Sequence, residues 1–165
     1  MPRFTIRPAG PEDIGALDFA LRSLSADLGD THKATVADLA AAAFAEHPSF
    51  RALLAENGNE TVGATVFSPL FSTRMGSPGV YVSDLWVGPA ARGSGLGRRL
   101  LAAAMAEGNA LWGARFIKLA VHHDNEDAQA FYERLGFIEI AGEHSLILSG
   151  AALTALEGGG DESLS

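Results

Sequence analysis

Apolar positions along the chain recur with two alternating periods. Phe4 to Arg7 alternates as a strand does and stops at Pro8-Ala9-Gly10-Pro11, after which Glu12 and Asp13 favour a helix N-terminus through the backbone dipole. Ile14, Leu17, Leu21, Leu24 and Leu28 then follow at spacings of three and four, which predicts a helix with one apolar stripe ending near Gly29. Thr35 is suited to cap a second helix through the alanine-rich stretch Asp38 to Glu46, stopped by Pro48. Phe50 to Ala55 and Thr61 to Leu70 read as strands of a hairpin turned at Asn57-Gly58-Asn59. Phe71 to Gly79, among prolines and glycines, reads as a mobile loop, and Val80 to Val87 as a long strand ended by Gly88-Pro89.

The second half keeps the alternation. Leu96, Leu100, Leu101, Ala104, Met105 and Trp112 share one side of a helix, Phe116 to Val121 is a buried strand, and Ala128, Phe131, Tyr132 and Leu135 form the stripe of a short helix closed by Gly136. Phe137 to Ile140 and His144 to Leu148 read as a last hairpin around Ala141-Gly142-Glu143. Gly158-Gly159-Gly160 suggests that residues 151–165 are a disordered tail behind a single domain over residues 1–150. The order of elements predicts an α/β (α+β) fold around a mixed sheet.

Composition narrows the function. The 165 residues suffice for one substantial core. There are no cysteines, which excludes disulfides, thiolate metal sites and a cysteine nucleophile. The net charge of -8 repels a phosphate backbone, so nucleic acid is not an expected partner. It attracts cationic solutes weakly, although acidity also serves solubility alone. Neither an apolar leader nor a run of the roughly 20 apolar residues that span a bilayer is present, so no membrane is expected and the expected compartment is the cytoplasm.

The junction after the long strand carries the chemistry. Arg92-Gly93-Ser94-Gly95-Leu96-Gly97 leaves a strand and opens a helix, an arrangement that presents unpaired backbone amides and the helix dipole to an anion. The spacing is neither G-x-G-x-x-G nor a nucleotide P-loop, and a plain glycine-rich connector is the alternative. Downstream, Asn125-Glu126-Asp127-Ala128-Gln129-Ala130-Phe131-Tyr132-Glu133-Arg134-Leu135-Gly136-Phe137 is a second distinctive run. Together these stretches resemble the [Q/R]-x-x-G-x-[G/A] and N-x-x-A-x-x-F-Y-x-x-x-G-F elements of the GCN5-related N-acetyltransferases (GNAT). The resemblance is specific from Val80 to Phe137 and extends weakly back to Phe4.

That resemblance implies a GNAT fold, with a mixed, mostly antiparallel sheet of six to seven strands and about four helices on both faces. It also implies acetyl-CoA as co-substrate and transfer to a primary amine by direct attack in a ternary complex. The amides of Gly93, Ser94, Gly95, Leu96 and Gly97 would then hold the pyrophosphate, with Arg92 and Arg98 adding charge. Leu85, Trp86 and Val87 would line the pantetheine arm on a bulged strand, and an N–H at Leu85 would polarise the thioester carbonyl. Asn125 would bind the same arm beside Ala128 and Tyr132, and the Tyr132 phenol would protonate the leaving thiolate. By its stripe alone, Tyr132 reads first as a core aromatic.

An acceptor that arrives as an ammonium must lose a proton before it attacks. Asp84 is the first candidate to take it, since polyamine-acetylating members of the family carry a Glu-Asp pair where this chain has Ser83-Asp84. His122 and His123 are further candidates. A metal on His122-His123-Asp124 is not expected, because neighbours on a strand point to opposite faces. Acceptor recognition falls to Gly29 to Lys33, Phe44 to Phe50 and Pro69 to Gly79, which carry no decodable pattern. A small-molecule amine is the first reading; peptide or protein amines and a non-catalytic acyl-CoA-binding module are the alternatives. Homodimers are common in the family, and His144 to Leu148 could pair across one.

Overall fold

The structure, a computed structural model, describes residues 3–159. They fall into two compact units, one through Glu126 and one from Asp127.

In the first unit, five strands form one sheet in the order β1-β2-β3-β4-β5. The strands are β1 (Thr5–Pro8), β2 (Arg51–Asn57), β3 (Glu60–Ser72), β4 (Ser77–Val87) and β5 (Ile117–Leu119). The first four pair antiparallel and β4 pairs parallel with β5, so the expected mixed, mostly antiparallel sheet is present. The expected mobile loop over Phe71 to Gly79 is instead the closing end of a hairpin: Phe71 pairs with Pro78 and Ser72 with Ser77. Only residues 73–76 turn, and Gly76 supplies the left-handed residue at φ 68°. Pro69, Pro78 and Gly79, which suggested a loop, are accommodated within the two strands.

One face of the sheet packs against α1 (Ile14–Leu28) and α2 (Val36–Ala43). Leu17, Ala20, Leu21 and Leu39 of these helices cluster with Leu54, Ala64, Val66 and Trp86 of the strands. Burying a leucine fully contributes about 1.5–3 kcal/mol, and Leu17 and Leu54 are entirely enclosed. Arg7 fixes the entry to α1: its guanidinium donates to both Asp13 oxygens, at 2.7 and 2.8 Å, and to Glu56 at 2.6 Å. That fork is the main reason the Asp13 carboxyl is held down at about 2. Thr35 caps α2 as the sequence predicts, accepting from the Asp38 amide at 3.1 Å while its own amide donates to Asp38 at 2.9 Å.

The other face carries α3 (Leu96–Trp112), with Leu96 and Leu100 against Gly63 and the Trp112 ring 6.1 Å from that of Phe67. Gly108 lets this helix approach β4: a Cβ there would lie 2.2 Å from Cγ2 of the fully buried Val80. Alanine in a helix interior ordinarily gains about 1 kcal/mol over glycine, whereas overpacking a stiff β-branched neighbour costs about 1–3 kcal/mol. The clash should win. Gly108→Ala is expected to lower the thermal midpoint by several degrees in a calorimetric scan, and an unchanged or raised midpoint would show that α3 is free to shift.

The second unit contains most of α4 (Glu126–Leu135) and all of α5 (Gly150–Glu157). Residues 137–149 carry no helix or strand, so among the described residues the sheet has five strands rather than six or seven. The segments Phe137 to Ile140 and His144 to Leu148 alternate as strands do, and Gly142 takes the expected left-handed turn at φ 83°. Within this unit, however, neither segment meets a ladder partner, and alternation without a partner makes no strand. The helix α5 lies where a tail was expected; part of that tail, residues 160–165, is outside the described residues.

Candidate active site

The pairing of β4 changes twice along its length, and both changes shape a site. Val82 pairs with Phe67 and Asp84 with Val66, which leaves Ser83 as an extra residue, a bulge. Val80 and Val82 point toward α3, as the approach of Gly108 to Val80 and of Phe67 to Trp112 shows. Without the bulge, strand alternation would send Asp84 the same way. With it, Asp84 joins the face of Val66 and Trp86, toward α1.

The second change is on the other edge. Parallel pairing between β4 and β5 runs through Val80 with Ile117, Tyr81 with Lys118 and Val82 with Leu119, and then stops. From Ser83 to Val87 the strand continues, and among the described residues no strand pairs with it on that side. Its backbone there is an open edge that can pair with an extended ligand as an added strand would. Leu85 and Val87 lie on this edge, half-buried. The Trp86 side chain is enclosed in the α1-side core, edge-on to Phe19 at 5.7 Å, so only its backbone is available to a ligand.

The open edge leads through a 3-10 turn (Pro89–Ala91) to the N-terminus of α3. Gly93 and Gly95 both have left-handed backbones, φ 76° and 83°, and nothing lies within 4 Å of where a Cβ would stand on either. Gly95 is the N-cap of α3, and no side chain caps it. A helix's first amides lack carbonyl partners within the helix, so Leu96 and Gly97 present donors together with the positive end of the dipole. Ser94 turns its hydroxyl back onto the Ala91 carbonyl, which stiffens the loop. Together these features form an open, donor-lined cradle that suits the pyrophosphate of a CoA thioester. Arg98 is exposed on the first helical turn. Arg92 is committed elsewhere: its Nε donates to the Val87 carbonyl at 3.0 Å and its Nη2 to Asp27 at 2.8 Å.

Asp84 is largely enclosed, and burial pushes its carboxyl above the ordinary value, against a hydrogen bond from Ser83 at 2.9 Å and the charge of His32. The sequence points to Gly29 to Lys33 for acceptor recognition without singling out His32, and the neighbours of His32 on α1 are not legible there as site residues. His122, at the end of β5, lies 3.1 Å from Asp30, whose carboxylate favours the protonated imidazole. Asn125 begins the approach to α4, its amide donating to the His122 carbonyl at 3.0 Å.

In the second unit, Ala128 lies on α4 and the Tyr132 ring packs 5.2 Å from Phe131 and 5.4 Å from Phe137. Burial raises the Tyr132 phenol above its usual value, so it keeps its proton well into alkaline solution. Among the described residues no group of three or more His, Asp or Glu could hold a metal ion, and no helix is long and apolar enough to cross a membrane.

Comparison with known proteins shows the family and the fold. The acetyltransferase (GNAT) family matches residues 18–137. The thialysine N-epsilon-acetyltransferase of Sus scrofa is 31% identical over 171 aligned residues, covering 96% of this chain and 99% of that protein. Among solved structures, an integron cassette protein from the mobile metagenome of V. cholerae has a TM-score of 0.75 at 22% identity, covering 95% of this chain and 98% of its own. An aminoglycoside acetyltransferase from an uncultured soil metagenomic sample, solved with sisomicin, has a TM-score of 0.73 at 17% identity over 88% of this chain and 97% of its own. These two share the fold. With its family matched across most of its length, the chain belongs to the GNAT acetyltransferases and is an acetyl-transferring enzyme.

Proposed function

We propose that the protein moves the acetyl group of acetyl-CoA to a primary amine of a small molecule, by direct attack in a ternary complex. The observation that carries this reading is the divergence of β4 from β5 beyond Val82, which opens a backbone edge leading to the uncapped start of α3. The amides of Gly93 to Gly97 bind the pyrophosphate, and Arg98 adds charge. Leu85 and Val87 pair with the pantetheine arm, which Asn125 and Ala128 also contact. Acetyl-CoA supplies an activated acyl carbon; the Leu85 N–H stabilises the oxyanion that forms there, and Tyr132 gives its proton to the departing thiolate. Arg92 braces the end of β4 against α1 through Asp27, a positioning role rather than a phosphate contact.

A small cationic amine suits the net charge of -8. Thialysine, the substrate named for a relative that aligns over nearly the whole chain, is the first acceptor to try, with an aminoglycoside second. The test is calorimetric binding of acetyl-CoA followed by thiol release on adding thialysine, polyamines, aminoglycosides and peptides. Amine-dependent release with a small molecule supports the reading, and release with peptides alone would replace it.

The working assembly is a homodimer. Ile138, Leu146 and Ile147 are each about 90% exposed on the strand-like segment 137–149, a surface suited to pairing with a second copy. Sedimentation equilibrium is expected to give twice the 17.2 kDa chain mass, and a monomer at micromolar concentration would overturn this. The expected compartment is the cytoplasm.

A further inference from the structure

A polar cluster between α1 and its following loop has no task in the mechanism above. His32 sits in irregular chain between α1 and α2, its Nδ1 3.0 Å from Ser25 Oγ. Its Nε2 faces Oδ1 of Asp18 at 4.0 Å, and both atoms are buried and, among the described residues, without a hydrogen-bond partner. Arg22 takes the other Asp18 oxygen at 2.9 Å. A buried polar atom left unpaired costs about 1–3 kcal/mol. Two that face each other across 4.0 Å are spaced for a single N–H donor about 2.9 Å from each. Across from them, the bulge has turned Asp84 to this same face of the sheet, within range of the His32 charge.

We propose that His32 takes the proton that the acceptor's ammonium must lose, with Asp18 and Asp84 as the carboxylates on either side of it. The inference rests on the amine acetylation proposed above. The ammonium gives one proton to Nε2 of His32, and the freed lone pair forms the C–N bond as the C–S bond breaks. Tyr132 supplies the thiolate's proton and recovers one, through solvent, from the second hydrogen lost by the nitrogen. His32 then returns its proton to water, so that one proton is released per acetyl group moved. Imidazole changes charge between about pH 5 and 8, where an acceptor amine is still cationic. The Asp84 carboxylate already accepts a hydrogen bond from Ser83 at 2.9 Å, whereas Nε2 of His32 has no hydrogen-bond partner among the described residues. The groups facing His32 are Asp18 and Ser25 of α1, Arg22 through Asp18, and Asp84 of β4; Lys33 adjoins it, and Asp30 is engaged by His122.

The test is His32→Gln in the full chain, with thialysine as acceptor, kcat/KM followed by thiol release from pH 6 to 10, and acetyl-CoA affinity by calorimetry. A loss of about 100-fold at pH 7, shrinking toward pH 10 as thialysine deprotonates unaided, is expected, with acetyl-CoA affinity unchanged. Wild-type rates, or a loss equal at every pH, would overturn the assignment while leaving amine acetylation in place. A wild-type chain that binds acetyl-CoA but releases no thiol with thialysine or any other amine would overturn both. Should His32→Gln fail to bind acetyl-CoA, Asp18→Asn decides: a loss that shrinks with rising pH supports the role, and a flat ratio to wild type removes it.

Discussion

Glutamate in place of Gly95 is expected to weaken acetyl-CoA binding at least 100-fold, a loss of about 2.7 kcal/mol or more, with little change in the fold. Three features of the position combine. Its backbone is left-handed at φ 83°, which costs a side-chain-bearing residue roughly 1–2 kcal/mol. A Cβ there meets nothing within 4 Å, so the substitution does not disturb the core. The new carboxylate would also sit at a helix N-terminus, where negative charge gains about 0.3–1 kcal/mol, offsetting part of the strain. The added charge therefore fills and neutralises the cradle while α3 survives. Calorimetry with acetyl-CoA, beside a thermal scan of the same variant, separates the two effects. Preserved affinity would return Gly93 to Gly97 to being a connector.

The second large effect is expected at Tyr132. Removing its hydroxyl in Tyr132→Phe should lower kcat by about 100- to 10,000-fold, the usual range for a positioned proton donor, while acetyl-CoA affinity stays within a factor of about two. The ring itself is retained, and with it the contacts to Phe131 and Phe137, so a loss of stability should not account for the change. The pH profile supplies an independent check. Burial raises the phenol above its usual value, so the protonated, active form persists as pH rises and is lost only above pH ~10. The alkaline limb of kcat should therefore lie beyond that point in the wild type and be absent from the phenylalanine variant. An unchanged kcat would make Tyr132 a packing residue, the role its helical stripe alone suggests first.

The sequence was most readable where chemistry depends on backbone shape. The glycine-rich run Gly93 to Gly97 reads as a turn that opens a helix, Thr35 as a helix cap, and Val80 to Val87 as a strand; the structure has all three. Two kinds of feature were hidden. One depends on partners distant in the chain: the strand-like Phe137 to Leu148 cannot reveal from its own alternation whether a ladder awaits it. The other depends on which way a side chain points. Asp84 could be singled out by position, but its relation to His32 arises only because a bulge turns it toward α1. Arg92 shows the same limit, since its motif position implies phosphate while Asp27, 65 residues earlier, claims its guanidinium.

The bulge at Ser83 also bears on how this strand can change over evolutionary time. What it fixes is a parity. Val82 faces α3 and Trp86 faces α1 although three residues separate them, because the bulge takes Ser83 out of the alternation. A lineage could exchange Ser83 for another small residue at little cost. Deletion of Ser83 would leave Val82 and Asp84 as neighbours, which alternation keeps on opposite faces, so Asp84 and Trp86 would stay on the α1 side and only the bulge would be lost. The bulge is therefore a reserve of one residue: losing it straightens the strand and reverses no side chain, whereas a second deletion in the same stretch would turn Asp84 and Trp86 to the far side of the sheet.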